Sequence, residues 1–341
     1  MYITIDITSI VYVGLSSMSQ GVMATWTGVN QGFSNDDLNL FQTKYGLPIQ
    51  NAVASGTTSQ TSAQCASMGN CDEGNLDVQY IAGMCQVAKT YFFFNSGSAG
   101  DPWVSILNTV YGMSAATRPT VISISYGSDE AAYPPVYMDQ FNTAAQKLGL
   151  LGVTIFVSSG DNGVTSDPST CLTDTSSSTS SWKGTNTWTG QGYFPSWPAT
   201  SQWVVAVGAT NGPQIGKAEV ASQPAVAYSY TTTAAYNGMG TSITSGGGFS
   251  SYIAQQTWQA TAITNYLSAH TNISPGYNPK GRGYPDLAFM GAYYVPIVGG
   301  TQATLCGTSA STPMAAGMCK SQCSTIIFFL PCCLKYFLRC V

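Results

Sequence analysis

A serine, a pair of carboxylates and a third acid carry the chemistry that can be read from this sequence. The serine lies in Gly307-Thr308-Ser309-Ala310-Ser311-Thr312-Pro313, followed by Met314-Ala315-Ala316-Gly317. Glycine permits close backbone approach, and a hydroxyl just before a helix has the helix's partial positive charge beside it. Pro313 suits the first turn of such a helix, where its missing N–H has no partner to lose. A strand-to-helix junction of this kind presents a hydrolase nucleophile; an ordinary Ser/Thr helix cap is the alternative.

A serine nucleophile needs a base. The chain has one histidine, His270, in the polar segment Leu267 to Asn272 at a predicted helix end. A surface histidine near a helix C-terminus is the expectation there, and a Ser-His hydrolase would require His270 to fold onto Ser309. Carboxylates are the other candidates. Glu73 and Asp77 are four apart on a predicted helix, so they share a face with Cβ atoms about 5–6 Å apart. Two neighbouring carboxylates that share a proton act as a base in acid, where a histidine is already charged. The alternative is a solvated acid pair at a helix N-terminus, where the macrodipole favours negative charge. Asp161, between Gly160 and Asn162-Gly163, follows an apolar strand. It reads as an Asx-turn residue or as a carboxyl held protonated to donate a hydrogen bond to an oxyanion.

The elements that must position these groups alternate. Strands are expected at Val22 to Thr27, Ala88 to Phe94, Thr120 to Tyr126, Val153 to Ser158 and Trp203 to Val207. Helices are expected at Leu38 to Tyr45, Glu73 to Met84, Trp103 to Tyr111 and Met138 to Leu148. Residues 51 to 71 and 165 to 193, rich in Ser, Thr and Gly, read as loops. This alternation predicts an α/β fold, a mostly parallel central sheet with helices on both faces. Ligands sit at the carboxyl ends of such strands, where Ser125-Tyr126-Gly127 and the Asp161 turn fall.

Composition narrows the function. Charged residues make up 8% of the 341, with 15 acidic against 11 basic, which leaves no basic footprint for nucleic acid. No apolar run reaches the length of a membrane span. Few ionisable groups mean little charge to build up as carboxylates protonate, which favours tolerance of acid. Cys65, Cys71, Cys85 and Cys171 are spaced as disulfide cysteines of a secreted protein would be, and Cys65 and Cys71 are suited to closing a small loop. Zinc is disfavoured, with one histidine and no paired C-x-x-C set. Asn272-Ile273-Ser274 is a glycosylation sequon. The first lysine is Lys44, so the basic segment of a signal peptide is not evident.

With these residues in hand, the chain resembles the sedolisins, the serine-carboxyl peptidases that include tripeptidyl peptidases. Glu73-Gly-Asn-Leu-Asp77-Val-Gln-Tyr resembles the family's acid-pair helix, Ser123-Ile-Ser-Tyr-Gly127 its substrate strand, and Ser158-Ser-Gly-Asp161-Asn-Gly its oxyanion turn. Ser245-Gly-Gly-Gly-Phe249-Ser, Gly281-Arg-Gly-Tyr-Pro-Asp286 and Gly307-Thr-Ser309-Ala-Ser-Thr-Pro313 complete the series in order. The resemblance implies a subtilisin-like fold and acid-active peptide hydrolysis. It implies Ser309 as nucleophile, Glu73 and Asp77 as base couple, Asp161 with the Ser309 N–H at the oxyanion, and Ser125, Tyr126 and Gly127 as the substrate-pairing strand. Peptide or protein substrates, a monomer, and a secreted or lysosome-like compartment follow as expectations.

Three departures stand beside it. Cys306 precedes Gly-Thr-Ser where the family has serine, and the family's large propeptide is not evident. The family also binds calcium through residues well after the nucleophile, whereas Asp286 is the last acidic residue here. No bound calcium and no other cofactor are therefore expected. The organisation expected is an N-terminal extension at 1–19, a sedolisin-like domain at 20–318 and an aberrant Cys-rich tail at 319–341. An inactive, truncated pseudo-peptidase is the alternative function.

Overall fold

The computed structural model describes residues 22–26, 31–86, 88–94, 101–164, 193–210, 243–271, 273 and 276–323. Its strands are β1 (Val22–Trp26), β2 (Val53–Ser55), β3 (Lys89–Phe93), β4 (Val121–Ile124), β5 (Ser128–Asp129), β6 (Thr154–Ser158) and β7 (Ser196–Trp197). They continue as β8 (Val205–Thr210), β9 (Gly248–Ala254), β10 (Gly281–Tyr284), β11 (Leu287–Met290), β12 (Ile297–Val298) and β13 (Thr301–Gln302). The helices are α1 (Asn35–Lys44), α2 (Ser62–Met68), α3 (Asp72–Met84), α4 (Pro102–Gly112), α5 (Pro135–Leu150), α6 (Ala260–Ala269) and α7 (Thr308–Cys323).

Seven strands form one sheet in the order β11-β8-β6-β4-β1-β3-β2, and every pairing in it is parallel. Both faces are covered, so its strands are apolar on both sides. Ile122, Ile124, Ile155, Val157 and Ala206 point to α4 and α5, where Leu107, Val110, Phe141 and Leu148 complete the larger core. Val121, Phe156 and Val207 point the other way, to Ile81 of α3 and Ala315, Ala316 and Cys319 of α7. Successive strand residues alternate faces, and this alternation separates the structural helices α4 and α5 from α3 and α7, which bear the candidate chemistry.

The two site helices lie unusually close. A Cβ at Gly317 would stand 2.7 Å from both Ile81 O and Met84 Cβ, so only glycine lets α7 settle on α3 at this depth. The start of α3 is held as well. Cys71, its N-cap, is disulfide-bonded to Cys65 of α2. On the far side of the sheet Arg282 is fully buried and donates to Asp286 Oδ2 at 2.6 Å, which also accepts the Ala206 N–H at 2.8 Å. That pair ties β10 and β11 to β8.

The predicted α/β architecture holds, with corrections to its elements. Residues 51–71 are not one loop: they contain β2 and α2. Thr61 and Gln64 form a reciprocal capping box at the start of α2, which supplies partners for N–H groups a short helix leaves open. Strands β5, β7 and β9 to β13 also went unread. Strand β8 begins at Val205 rather than Trp203, and α7 runs to Cys323, past residue 318. The extension at 1–19, most of the loop at 165–193, the sequon and the tail beyond 323 lie outside the described residues.

Candidate active site

Ser309 is the second residue of α7. Its turn is fixed by Gly307 N–H, which donates to Gly291 O at 2.8 Å, and by Ser311 Oγ, which donates to Met290 O at 3.0 Å. Pro313 sits inside the helix, not in its first turn as the sequence reading placed it. Lacking an N–H, it leaves the carbonyl four residues back, that of Ser309, outside the helical ladder. Ser125 Oγ lies 3.3 Å from that carbonyl and 2.9 Å from Asp77 Oδ1, with a single proton to offer either. Ser309 Oγ donates in turn to Ser125 O at 3.2 Å. The residue after the end of β4 thus touches both the nucleophile candidate and the acid pair.

Glu73 and Asp77 lie one turn apart on α3, on the side that meets α7. Asp77 is fully buried. Glu73 is half-buried, and its Oε1 is sealed from solvent without a hydrogen-bond partner. Burial first, and then the negative charge of Asp77, push the Glu73 carboxyl well above its usual range. The Ser309 hydroxyl beside it offsets part of that rise, while Asp161 and Asp72 add to it. A buried carboxyl next to a second one is the arrangement in which two acids come to share a proton.

Asp161 faces the turn from the other side. Its Oδ1 accepts both Thr308 N–H and Thr308 Oγ1, each at 2.8 Å. Its Oδ2 points toward Gly307, 3.2 Å from where a Cβ would stand. Burial raises its carboxyl, against the lowering effect of the two Thr308 bonds. With both donors on Oδ1, Oδ2 is the oxygen left to carry a proton, and it lies beside the Ser309 turn. The Asp161 loop is held by the 243–248 segment: Thr244 N–H donates to Asp161 O at 2.9 Å and Ser159 Oγ to Gly246 O at 2.8 Å.

Tyr126 and Gly127 continue from Ser125 toward β5. Tyr126 is exposed, and burial of its hydroxyl end, then the charges of Glu73 and Asp77, raise its phenol. Gly127 lies against Ser196 and Trp197 of β7. The structure therefore brings Ser309, Glu73, Asp77, Asp161 and Ser125 to Gly127 into one cleft at the carboxyl end of the sheet. His270 is elsewhere: it caps the exposed end of α6 and packs on the Tyr266 ring, centroids 4.6 Å apart. Thr308, which orients Asp161, was missed because it reads as part of the serine motif. Glu130 was missed too. It is fully buried just after β5 and accepts Ser250 Oγ and, at 2.8 Å, Ser251 N–H, but its sequence neighbours carry no motif.

Among the described residues no group of three His, Cys, Asp or Glu side chains stands together as a metal ion would need. Asp286, the last acidic residue, is already committed to Arg282 and Ala206 N–H.

Residues 52–320 match the family model described as the Subtilase family. The chain is 28% identical over 317 residues to tripeptidyl-peptidase sed4 of Aspergillus fumigatus, covering 85% of this chain and 46% of that protein. It is 28% identical over 291 residues to tripeptidyl-peptidase 1 of Dictyostelium discoideum, covering 84% and 40%. The chain thus spans less than half the length of these curated relatives. Among solved structures it resembles Pseudomonas sedolisin, a serine-carboxyl proteinase complexed with pseudo-iodotyrostatin, with TM-score 0.60, 22% identity, and 94% of this chain and 81% of that one covered.

Proposed function

The chain belongs to the Subtilase family, and from that premise, with its tripeptidyl-peptidase relatives and sedolisin-like fold in support, we propose that it is a sedolisin, a serine-carboxyl peptidase that cleaves peptide bonds in acid. Ser309 Oγ attacks the scissile carbonyl, and its proton passes to Glu73 as the Oγ–C bond forms. Asp77 shares and orients that proton. Glu73 then returns it to the departing amine, and water hydrolyses the acyl-enzyme by the same route in reverse. Asp161, protonated, donates from Oδ2 to the developing oxyanion beside the Ser309 N–H. The Ser125 to Gly127 backbone pairs with the substrate as an added strand.

The observation that carries this reading is the continuous contact from Ser309 through Ser125 to Asp77, with Glu73 beside the hydroxyl and no imidazole in the cleft. A carboxyl held above its ordinary range is a stronger base once ionised, which suits a hydroxyl nucleophile. The Cys65–Cys71 disulfide and the sparse charge support an oxidising, acidic compartment, extracellular or lysosome-like. Among the described residues no helix is long and apolar enough to cross a membrane.

The test is peptide cleavage at pH about 3–5, near ordinary carboxyl values. Ser309→Ala should reduce turnover to background, and Glu73→Gln should lower kcat by about 10²–10⁴-fold. Wild-type activity in either variant refutes the assignment.

A further inference from the structure

Asp37, near the start of α1, is fully buried and lies outside the cleft. Its two carboxyl oxygens take four donors. Ser62 Oγ at 2.6 Å and Gly300 N–H at 2.8 Å go to Oδ1. Asn75 Nδ2 at 2.8 Å and Gly299 N–H at 2.9 Å go to Oδ2. One side chain thereby joins α2, α3 and the turn between β12 and β13.

Asn75 is the member of that set with chemical consequences. It lies midway between Glu73 and Asp77 in sequence, so it projects from the opposite side of the same helical turn. Its Oδ1 accepts Ser34 N–H at 2.8 Å, and its Nδ2 also reaches Ile297 O at 3.2 Å. One turn further, the Gln79 amide closes a two-way pair with Ile297, donating to its O and accepting its N–H at 2.8 Å each. The backbone is pressed down at the same place: a Cβ at Gly74 would stand 1.9 Å from Gly32 O. The back of the turn is thus fixed by polar contacts, while its front carries the two acids.

We propose that Asp37 is a positioning residue for the acid couple, acting through Asn75 to set the rotation and depth of α3 and so the place of Glu73 against Ser309. The proposal rests on the peptidase reading above for its catalytic consequence. It does not rest on it for the geometry.

Asp37→Asn sets an amide NH₂ against donors that now meet a carboxyl oxygen. The expected result is a fall in kcat of about 10–100-fold with KM little changed, as a small misplacement of a catalytic group produces. A second readout needs no turnover. Glu73, Glu130 and Glu219 are the glutamates of the chain, so carboxyl NMR on protein labelled with ¹³C-glutamate follows Glu73 directly. Its midpoint should lie high in the wild type and move toward the ordinary range in Asp37→Asn, while Glu130 stays in place as the control. Asn75→Ala should act through the same link, so the double variant should lose no more kcat than the worse single one.

Additive losses, or an unchanged kcat and Glu73 midpoint with only a lowered Tm, would overturn the proposal. Should Asp37→Asn fail to fold, Ser62→Ala removes one of the four bonds and Asn75→Ser shortens the link, with the same two readouts deciding. If the wild type cleaves nothing, the peptidase reading falls, and the Glu73 midpoint still decides whether Asp37 positions α3.

Discussion

At the scale of single residues, the proposed chemistry rests on carboxyls whose surroundings differ. Burial lifts both Glu73 and Asp161, but Glu73 faces a hydroxyl it can deprotonate, while Asp161 has its acceptor oxygen filled by Thr308. This predicts a graded series at Asp161. Asp161→Ala should cost about 10²–10³-fold in kcat, the loss seen when one oxyanion donor is removed. Asp161→Asn keeps an acceptor for Thr308 and a permanent N–H donor, so it should retain more. Its activity should also persist further toward neutral pH than the wild type's, because an amide has no proton to lose. Equal losses in the two variants, measured as kcat across pH, would contradict the donor role. These residues were legible in sequence because few side chains do acid–base work and their spacing was informative. Asp37 was not, since Ser34-Asn-Asp-Asp reads sufficiently as a helix start, and its partners at Asn75 and Gly299 to Gly300 are remote in the chain.

At the scale of elements, the cleft depends on α3 and α7 touching along their length on one face of the sheet. Gly317 sets that distance. Gly317→Ala should destabilise the fold by about 1–3 kcal/mol, the usual cost of overpacking, and lower kcat as α7 lifts from α3. Thermal unfolding and turnover on the same preparation check both, and an unchanged Tm would mean the helices are not so closely set. The strands and helices of the central layers were readable because apolar runs and helical spacing are strong signals. Helix α2 was not, because Ser, Thr, Gln and Gly dominate its neighbourhood and only the Thr61–Gln64 box marks its start. The antiparallel pairs were hidden for other reasons: β12 and β13 span two residues each, and β9 and β10 carry Gly, Ser and Tyr rather than an alternating apolar pattern.

At the scale of the whole molecule, the carboxyls set how stability follows pH. Burial raises Glu73, Asp101, Asp129, Glu130 and Asp161 above their ordinary values. A carboxyl with a higher pKa folded than unfolded binds its proton more tightly in the folded state. Its contribution is therefore fully present below the unfolded value, about 4, and is lost as pH rises through the folded value. The midpoint of denaturant unfolding should be higher at pH about 4 than at pH about 7; the reverse order would show that other groups dominate. The parallel sheet has one more consequence, for biosynthesis. The proposed base enters the growing polypeptide at position 73 and the nucleophile only at 309. At about 5–20 residues per second, translation of the stretch between them lasts roughly 10–50 s. For all that time the nascent chain holds only half of the proposed catalytic set, and under the proposed mechanism the set is completed in one step once α7 emerges and docks.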